Sequence, residues 1–190
     1  MRAILAGLLL FIAGAVHAAP VTIDFEEYVG DVADFDPVLP NTPLAQGFIL
    51  DPDPGNLLWL NGSGPSPTSV GLLSDGPGAT FTHAGGLAFD LLSIDIAYIQ
   101  PGLHDFNISA TLAGGGTVSS LVTYNFPDID YQTYTDTALF TGITSLTISP
   151  GEQAPFFAMD NITVNVVPIP AAFWLFGSGL VALRWLRRKA

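Results

Sequence analysis

The sequence predicts an all-β protein, an antiparallel β-sandwich of jelly-roll type flanked by an N-terminal signal helix and a C-terminal transmembrane helix. Three observations point there. Between Ala19 and Val166 no helical periodicity lasts beyond a turn or two, while short runs rich in β-branched and aromatic residues recur between Gly, Pro, Asn and Asp. Phe106, Ile108, Ala110 and Leu112 alternate with Asn107, Ser109 and Thr111, which is the period of a strand with one face buried. Gly114-Gly115-Gly116 then joins two such runs as a tight hairpin.

Taken in order, the chain opens with MRAILAGLLLFIAGAVHAAP. Arg2 is a positive n-region, Ala3 to Val16 an apolar stretch, and Val16-His17-Ala18 the small residues before a cut. Residues 1–18 are therefore expected to be a signal peptide read by the export translocon and removed by signal peptidase. Residues 19–166 form the ectodomain. Its expected strands are Val21–Glu26, Gly47–Leu50, Leu57–Leu60, Ala79–His83, Leu87–Ile99, Asp105–Leu112, Thr117–Asn125, Tyr131–Phe140, Ile143–Ser149 and Phe156–Val166. About ten strands at this spacing suit a sandwich. The Pro-, Gly- and Ser-rich stretch Asp51–Pro77 reads as surface loops around one short strand at Trp59.

Residues 167–190 make the third part. Val166 to Leu183 carries no charge over 18 residues, close to the ~20 that span a bilayer. The basic stop Arg184, Arg187, Arg188 and Lys189 follows, and the positive-inside rule keeps it cytoplasmic. Pro168 and Pro170 end the preceding strand and hold an extended segment before the apolar run.

Charge narrows the function classes. The net charge is −12, but every Lys and Arg lies in the two end segments, so the interior holds all 17 acids and no base. Nucleic acid is excluded as a partner, because nothing there can displace counterions from phosphates. Each carboxylate must be hydrated, accept N–H bonds, or meet a metal ion. The absence of cysteine excludes disulfides, thiolate metal sites and cysteine nucleophiles.

Enzyme signatures are missing. Only His83 and His104 remain after signal cleavage, and there is no Gly-x-Ser-x-Gly elbow, Walker motif or dinucleotide glycine motif. Asp90, Asp95, Asp128 and Asp130 are the carboxylates that a glycan-active enzyme could use. Trp59, Tyr131 and Tyr134 are candidate sugar contacts, since aromatic faces stack on sugar rings; Trp59 equally suits the buried face of its strand beside Leu57. Asp24 and Glu26 fall on one face of the first strand, opposite Val21, Ile23 and Phe25. Asp160 is in step with Phe156, Ala158 and Ile162, a mostly apolar set. A carboxylate so placed either meets a metal or accepts backbone N–H bonds. Asp51-Pro52-Asp53-Pro54-Gly55-Asn56 is an acidic turn, since the glutamate position of an EF-hand falls on Gly62.

The C-terminal segment closely resembles the PEP-CTERM sorting signal in its VPLPA-type variant. The matching residues are Val167-Pro168-Ile169-Pro170-Ala171-Ala172, then Trp174 to Leu180, then the basic cluster. The common form has Glu where Ile169 stands. The resemblance implies a Gram-negative, exopolysaccharide-producing bacterium, transient residence in the inner membrane, and an exosortase that cuts near the prolines. More briefly, TIDFEEY and FFAMDNITV resemble the first and last strands of secreted carbohydrate-binding-type jelly rolls. That likeness implies a structural calcium held by Glu26 and Asp160. The expected protein is non-catalytic, of the cell surface or exopolysaccharide matrix, with extracellular polysaccharide as a partner. A secreted glycan hydrolase or lyase is the alternative.

Overall fold

The strands follow as β1 (Val21–Ile23), β2 (Thr42–Pro43), β3 (Phe48–Pro52), β4 (Leu57–Asn61), β5 (Val70–Ser74), β6 (Ala79–His83), β7 (Phe89–Tyr98), β8 (Gly102–Leu112), β9 (Thr117–Phe126), β10 (Gln132–Tyr134), β11 (Ile143–Pro150) and β12 (Phe157–Val166). They come from a computed structural model that describes residues 19–25, 42–52, 57–61, 70–74, 78–98, 101–126, 128, 130–151 and 157–167, with backbone alone for 52, 57–61 and 70–74. The expected signal helix, transmembrane helix and basic stop lie outside the described residues, as do Glu26, Pro168, Ile169, Pro170 and Ala171. Among the described residues no helix is long and apolar enough to cross a membrane.

All pairings are antiparallel, as the alternating pattern requires. One run of strands is β2-β3-β6-β11-β8-β9. The other is β10-β7-β12, with β1 and the β5–β4 pair both on the far side of β12. A single pair, Ile143 opposite Phe89, joins the two runs. The sheet therefore curls, and its inner faces meet in one buried cluster that includes Phe48, Phe81, Ile94, Ile96, Phe106, Ile108, Ile148, Met159 and Val164. This is the arrangement of a β-sandwich. Burying each such side chain stabilises the fold by ~1.5–3 kcal/mol.

Several elements differ from the expectation, the unexpected short strand β2 among them. β1 stops at Ile23, because Phe25 takes φ 58° and turns its ring into the core. Asp24 is exposed and lies beyond the end of the strand, and Glu26 lies outside the described residues. Val70–Ser74 forms β5 inside the stretch expected to be loop, where β4 supplies its ladder partner. The expected Tyr131–Phe140 strand shortens to Gln132–Tyr134, because Phe140 donates its N–H to the carbonyl of Thr137 and closes a turn. The β8–β9 hairpin forms as expected, with Gly115 and Gly116 at φ 89° and Leu112 donating its N–H to Gly116.

Candidate functional site

The buried Asp160 is placed by two compensating bulges. Asp160 stands opposite Asp95, Thr163 opposite Ser93, and Val164 opposite Leu91. Thus β12 carries one extra residue between Asp160 and Thr163, and β7 carries one between Leu91 and Ser93. Asn161, at φ 46°, provides the first; asparagine tolerates the left-handed region better than most residues. The bulge changes which face follows. Met159 and Ile162 both enter the main core, while Asp160 joins Ala158 and Ala97 on the opposite face of the sheet. This corrects the expectation that Asp160 and Ile162 share a face: simple alternation does not cross a bulge.

Asp160 is only 1% exposed on that second face. Its Oδ1 accepts the N–H of Asn161 at 2.8 Å, the backbone role that the sequence left open. Asp95 accepts the Thr133 hydroxyl at 2.6 Å and the Asn161 amide at 2.9 Å. Asp95 and Asp160 are thus register partners on β7 and β12, with the Thr133 hydroxyl and the Asn161 amide on Asp95, in an interior without Lys or Arg. Oxygen donors of this kind are those calcium takes, and Asp95 and Asp160 would supply two of the roughly six to eight ligands it needs. Among the described residues no cluster of three His, Asp or Glu side chains surrounds such a point. Glu26 lies outside the described residues; β1 ends with Ile23 opposite Ile162.

The aromatic candidates do not gather into a platform. Tyr134 is 4% exposed within the main core, with its hydroxyl donating to the carbonyl of Asp136 at 2.5 Å, so it offers no open ring. Tyr131 packs half-buried against Ala97 and Ala158 on the other face. The side chain of Trp59 is outside the description. Tyr134 as a sugar contact is therefore corrected; its place in the alternation of β10 points it inward, opposite Ile94.

Three of the four candidate catalytic carboxylates accept hydrogen bonds from neighbouring groups. Asp90 accepts the Gly142 N–H at 2.6 Å, Asp95 bridges β10 and β12, and Asp130 accepts the Tyr131 N–H at 2.8 Å. Asp128 and Asp130 are exposed.

A surface that sequence reading missed lies on the outer face of β6, β11, β8 and β9. Thr80, Thr147, Ser109 and Ser119 stand in one register row, and Thr82, Ser145, Thr111 and Thr117 in the next. Thr80 and Thr147 touch hydroxyl to hydroxyl at 2.8 Å. Alternate residues on these strands, such as Phe81, Leu146, Ile148, Ile108 and Ala110, are buried, so the hydroxyls face outward. Within each row neighbouring strands lie ~4.8 Å apart, and on β3 the first row ends at the exposed Asp51, opposite Thr80. The alternating Ser and Thr were visible in the sequence, but the rows depend on pairing between distant segments.

No family model and no curated protein matches the sequence. Solved structures with some likeness include the CBM22-1–GH10 modules of the Clostridium thermocellum endo-1,4-β-D-xylanase 10B complexed with xylohexaose. There the TM-score is 0.44 and the identity 15%, over 80% of this chain and 29% of that one, so this chain spans less than a third of its length. The CBM22-1 xylan-binding domain of Paenibacillus barcinonensis Xyn10C has a TM-score of 0.41 and 11% identity, over 73% of this chain and 99% of that one. The C-terminal family 22 carbohydrate-binding module of Clostridium thermocellum Xyn10B has a TM-score of 0.41 and 12% identity, over 65% and 88%. At such scores the backbones correspond only loosely, and ligand preference does not follow from the correspondence.

Proposed function

We propose that this chain is a non-catalytic exported protein of the cell surface or exopolysaccharide matrix, which meets neutral polysaccharide with the hydroxyl face of β6, β11, β8 and β9. The two register rows of Ser and Thr carry the proposal. On these four strands they offer donors and acceptors in register to a polymer that is itself a chain of hydroxyls. The acidic interior supports a neutral rather than an anionic polymer, because like charges repel. The two end segments support the route. The signal-like start directs export, and the PEP-CTERM-like tail, with Val167, Pro168, Ile169, Pro170 and Ala171 ahead of the apolar run, is the substrate of an exosortase. A structural calcium belongs to the same proposal. Asp160 and Asp95, with Glu26 from the chain beyond β1, would hold it, and its charge would offset these carboxylates.

The test is retention of the purified protein on neutral polysaccharides, xylan among them, and on an anionic one. Retention on neutral polymer is expected, with at least a tenfold loss when Thr111→Asp and Ser119→Asp place charges on the exposed end of the rows. Equal retention of that variant overturns the assignment of the face. Turnover of any polymer, abolished by one carboxylate-to-amide change, overturns the non-catalytic reading in favour of a secreted hydrolase or lyase.

A further inference from the structure

β9 is the longest strand at an edge of the described sheet, ten residues against five for β4, three for β10 and two for β2. It contains no charged residue and no proline. The direction of its free groups follows from the hairpin. Leu112 donates its N–H to Gly116 across the turn, and the ladder continues with Ala110 opposite Val118 and Ile108 opposite Ser120. Hydrogen-bonded pairs alternate in an antiparallel ladder, so the even-numbered residues of β9 bond to β8. Thr117, Ser119, Leu121, Thr123 and Asn125 therefore direct their N–H and C=O groups away from the sheet. Gln132 donates its side-chain amide to the Asn125 carbonyl at 3.2 Å, and Tyr124 donates its hydroxyl to Thr133 at 3.2 Å, which close the C-terminal end of this edge. Among the described residues nothing pairs with this edge from Thr117 to Thr123. Leu121 sits within it with 67% of its surface exposed.

We infer that this edge is a homodimer interface, where β9 pairs antiparallel with β9 of a second copy about a two-fold axis at Leu121. A two-fold axis normal to the sheet keeps both hydroxyl faces on one side and requires residues of the same face to stand opposite. With Leu121 on the axis, Leu121 meets the second copy's Leu121, and Ser119 meets the second copy's Thr123. Every outward N–H between Ser119 and Thr123 then finds a carbonyl, no charge enters the contact, and the exposed Leu121 is covered by its own symmetry mate. Charge argues for a second copy here rather than a basic partner. A cation would be drawn to acids over the whole ectodomain, whereas two acidic copies approach with least repulsion along a strip that has none. The nearest acid in register, Asp105, lies behind the edge on β8, opposite Thr123. Association is therefore expected to strengthen with salt, as the Debye length falls from ~30 Å at 0.01 M to ~8 Å at 0.15 M. A basic partner gives the reverse dependence.

The chain has no cysteine, so a single one reports position cleanly. Leu121→Cys in the purified full chain places two thiols across a hydrogen-bonded pair with Cα atoms ~5.5 Å apart, inside the ~4.4–6.8 Å that a disulfide bridges. Under mild oxidation it is expected to form a disulfide-linked dimer at least tenfold faster than Leu103→Cys, which is equally exposed on the same face but away from the axis. Adding Ser119→Pro to Leu121→Cys removes an outward N–H without touching the β8 ladder, and is expected to slow cross-linking to the Leu103→Cys rate while the circular dichroism of the folded protein is retained. Equal rates for the two cysteines, or cross-linking indifferent to Ser119→Pro or weakened by salt, overturn the inference.

Discussion

Tyr98 donates its phenolic hydrogen to the backbone carbonyl of Asp105 at 2.5 Å, the same carbonyl that accepts the Gly151 N–H at 2.7 Å. One oxygen thus ties the end of β7, the start of β8 and the segment after β11. The Tyr98 ring is buried and stacks on His104, with centroids 4.3 Å apart. Burial, reinforced by the nearby Asp105 carboxylate, pushes the phenol up to about 12 from its ordinary value of 10.

A folded-state value above the unfolded one means that the native protein holds this proton longer. The stabilisation is whole below pH 10 and is lost as pH rises through about 12. Two units correspond to about 2–3 kcal/mol. Tyr98→Phe is expected to flatten the fall in denaturation free energy between pH 10 and 12, and to cost about 1 kcal/mol at neutral pH through the lost hydrogen bond. Burial also raises Tyr124 and Tyr134, so some slope remains in the variant. An unchanged slope would show that another tyrosine carries it.

The register pair Asp95 and Asp160 gives a metal prediction. A ligand that binds only the folded chain adds RT ln(1 + [L]/Kd), so calcium at ~100 Kd is expected to add about 2.7 kcal/mol. Thermal unfolding in calcium and in magnesium, at matched ionic strength, separates a site from simple screening. A calcium-specific rise that vanishes in Asp160→Asn is expected; equal curves in both ions would remove the site.

Gly78 tests the close approach of β6 to β11. It sits at φ 141°, and a Cβ there would lie 2.5 Å from the Ile148 carbonyl oxygen. Backbone cannot give way as a side chain can. Gly78→Ala is expected to lower stability by about 1–3 kcal/mol, whereas Gly86→Ala, also at positive φ but with open space around it, bears the backbone strain alone and loses less. Chemical denaturation of the two variants makes the comparison.

For the tail, intact mass of the protein recovered from the cell surface is expected to lack the residues after about Pro170. A chain that still ends in Arg187-Arg188-Lys189 would instead be a plain membrane anchor.

Much of the sheet was legible because its strands are locally written. Ala79–His83 was bounded correctly, and β8, β9, β11 and β12 were placed within a few residues by alternation and the triple-glycine turn. β5 was not, since Val70-Gly71-Leu72-Leu73-Ser74 is too short to show a period and becomes a strand only through β4. The site was legible in composition and not in geometry. Asp160 stood out as an acid among apolar residues, and β1 does lie against β12. Its partner Asp95 is 65 residues away in sequence, and the bulge at Asn161 that re-aims the strand leaves only an asparagine as its mark. The hydroxyl rows were hidden for the same reason: register is a property of pairs of strands, and one strand does not contain it.

The meeting of first and last strands also sets how the domain bears a load. Val21 stands opposite Val164, so the leads into β1 and out of β12 leave from the same corner, side by side. Tension between those leads would open the β1–β12 ladder like a zip, one rung at a time, and three-residue β1 would part first. Force along a single lead meets no such weak line.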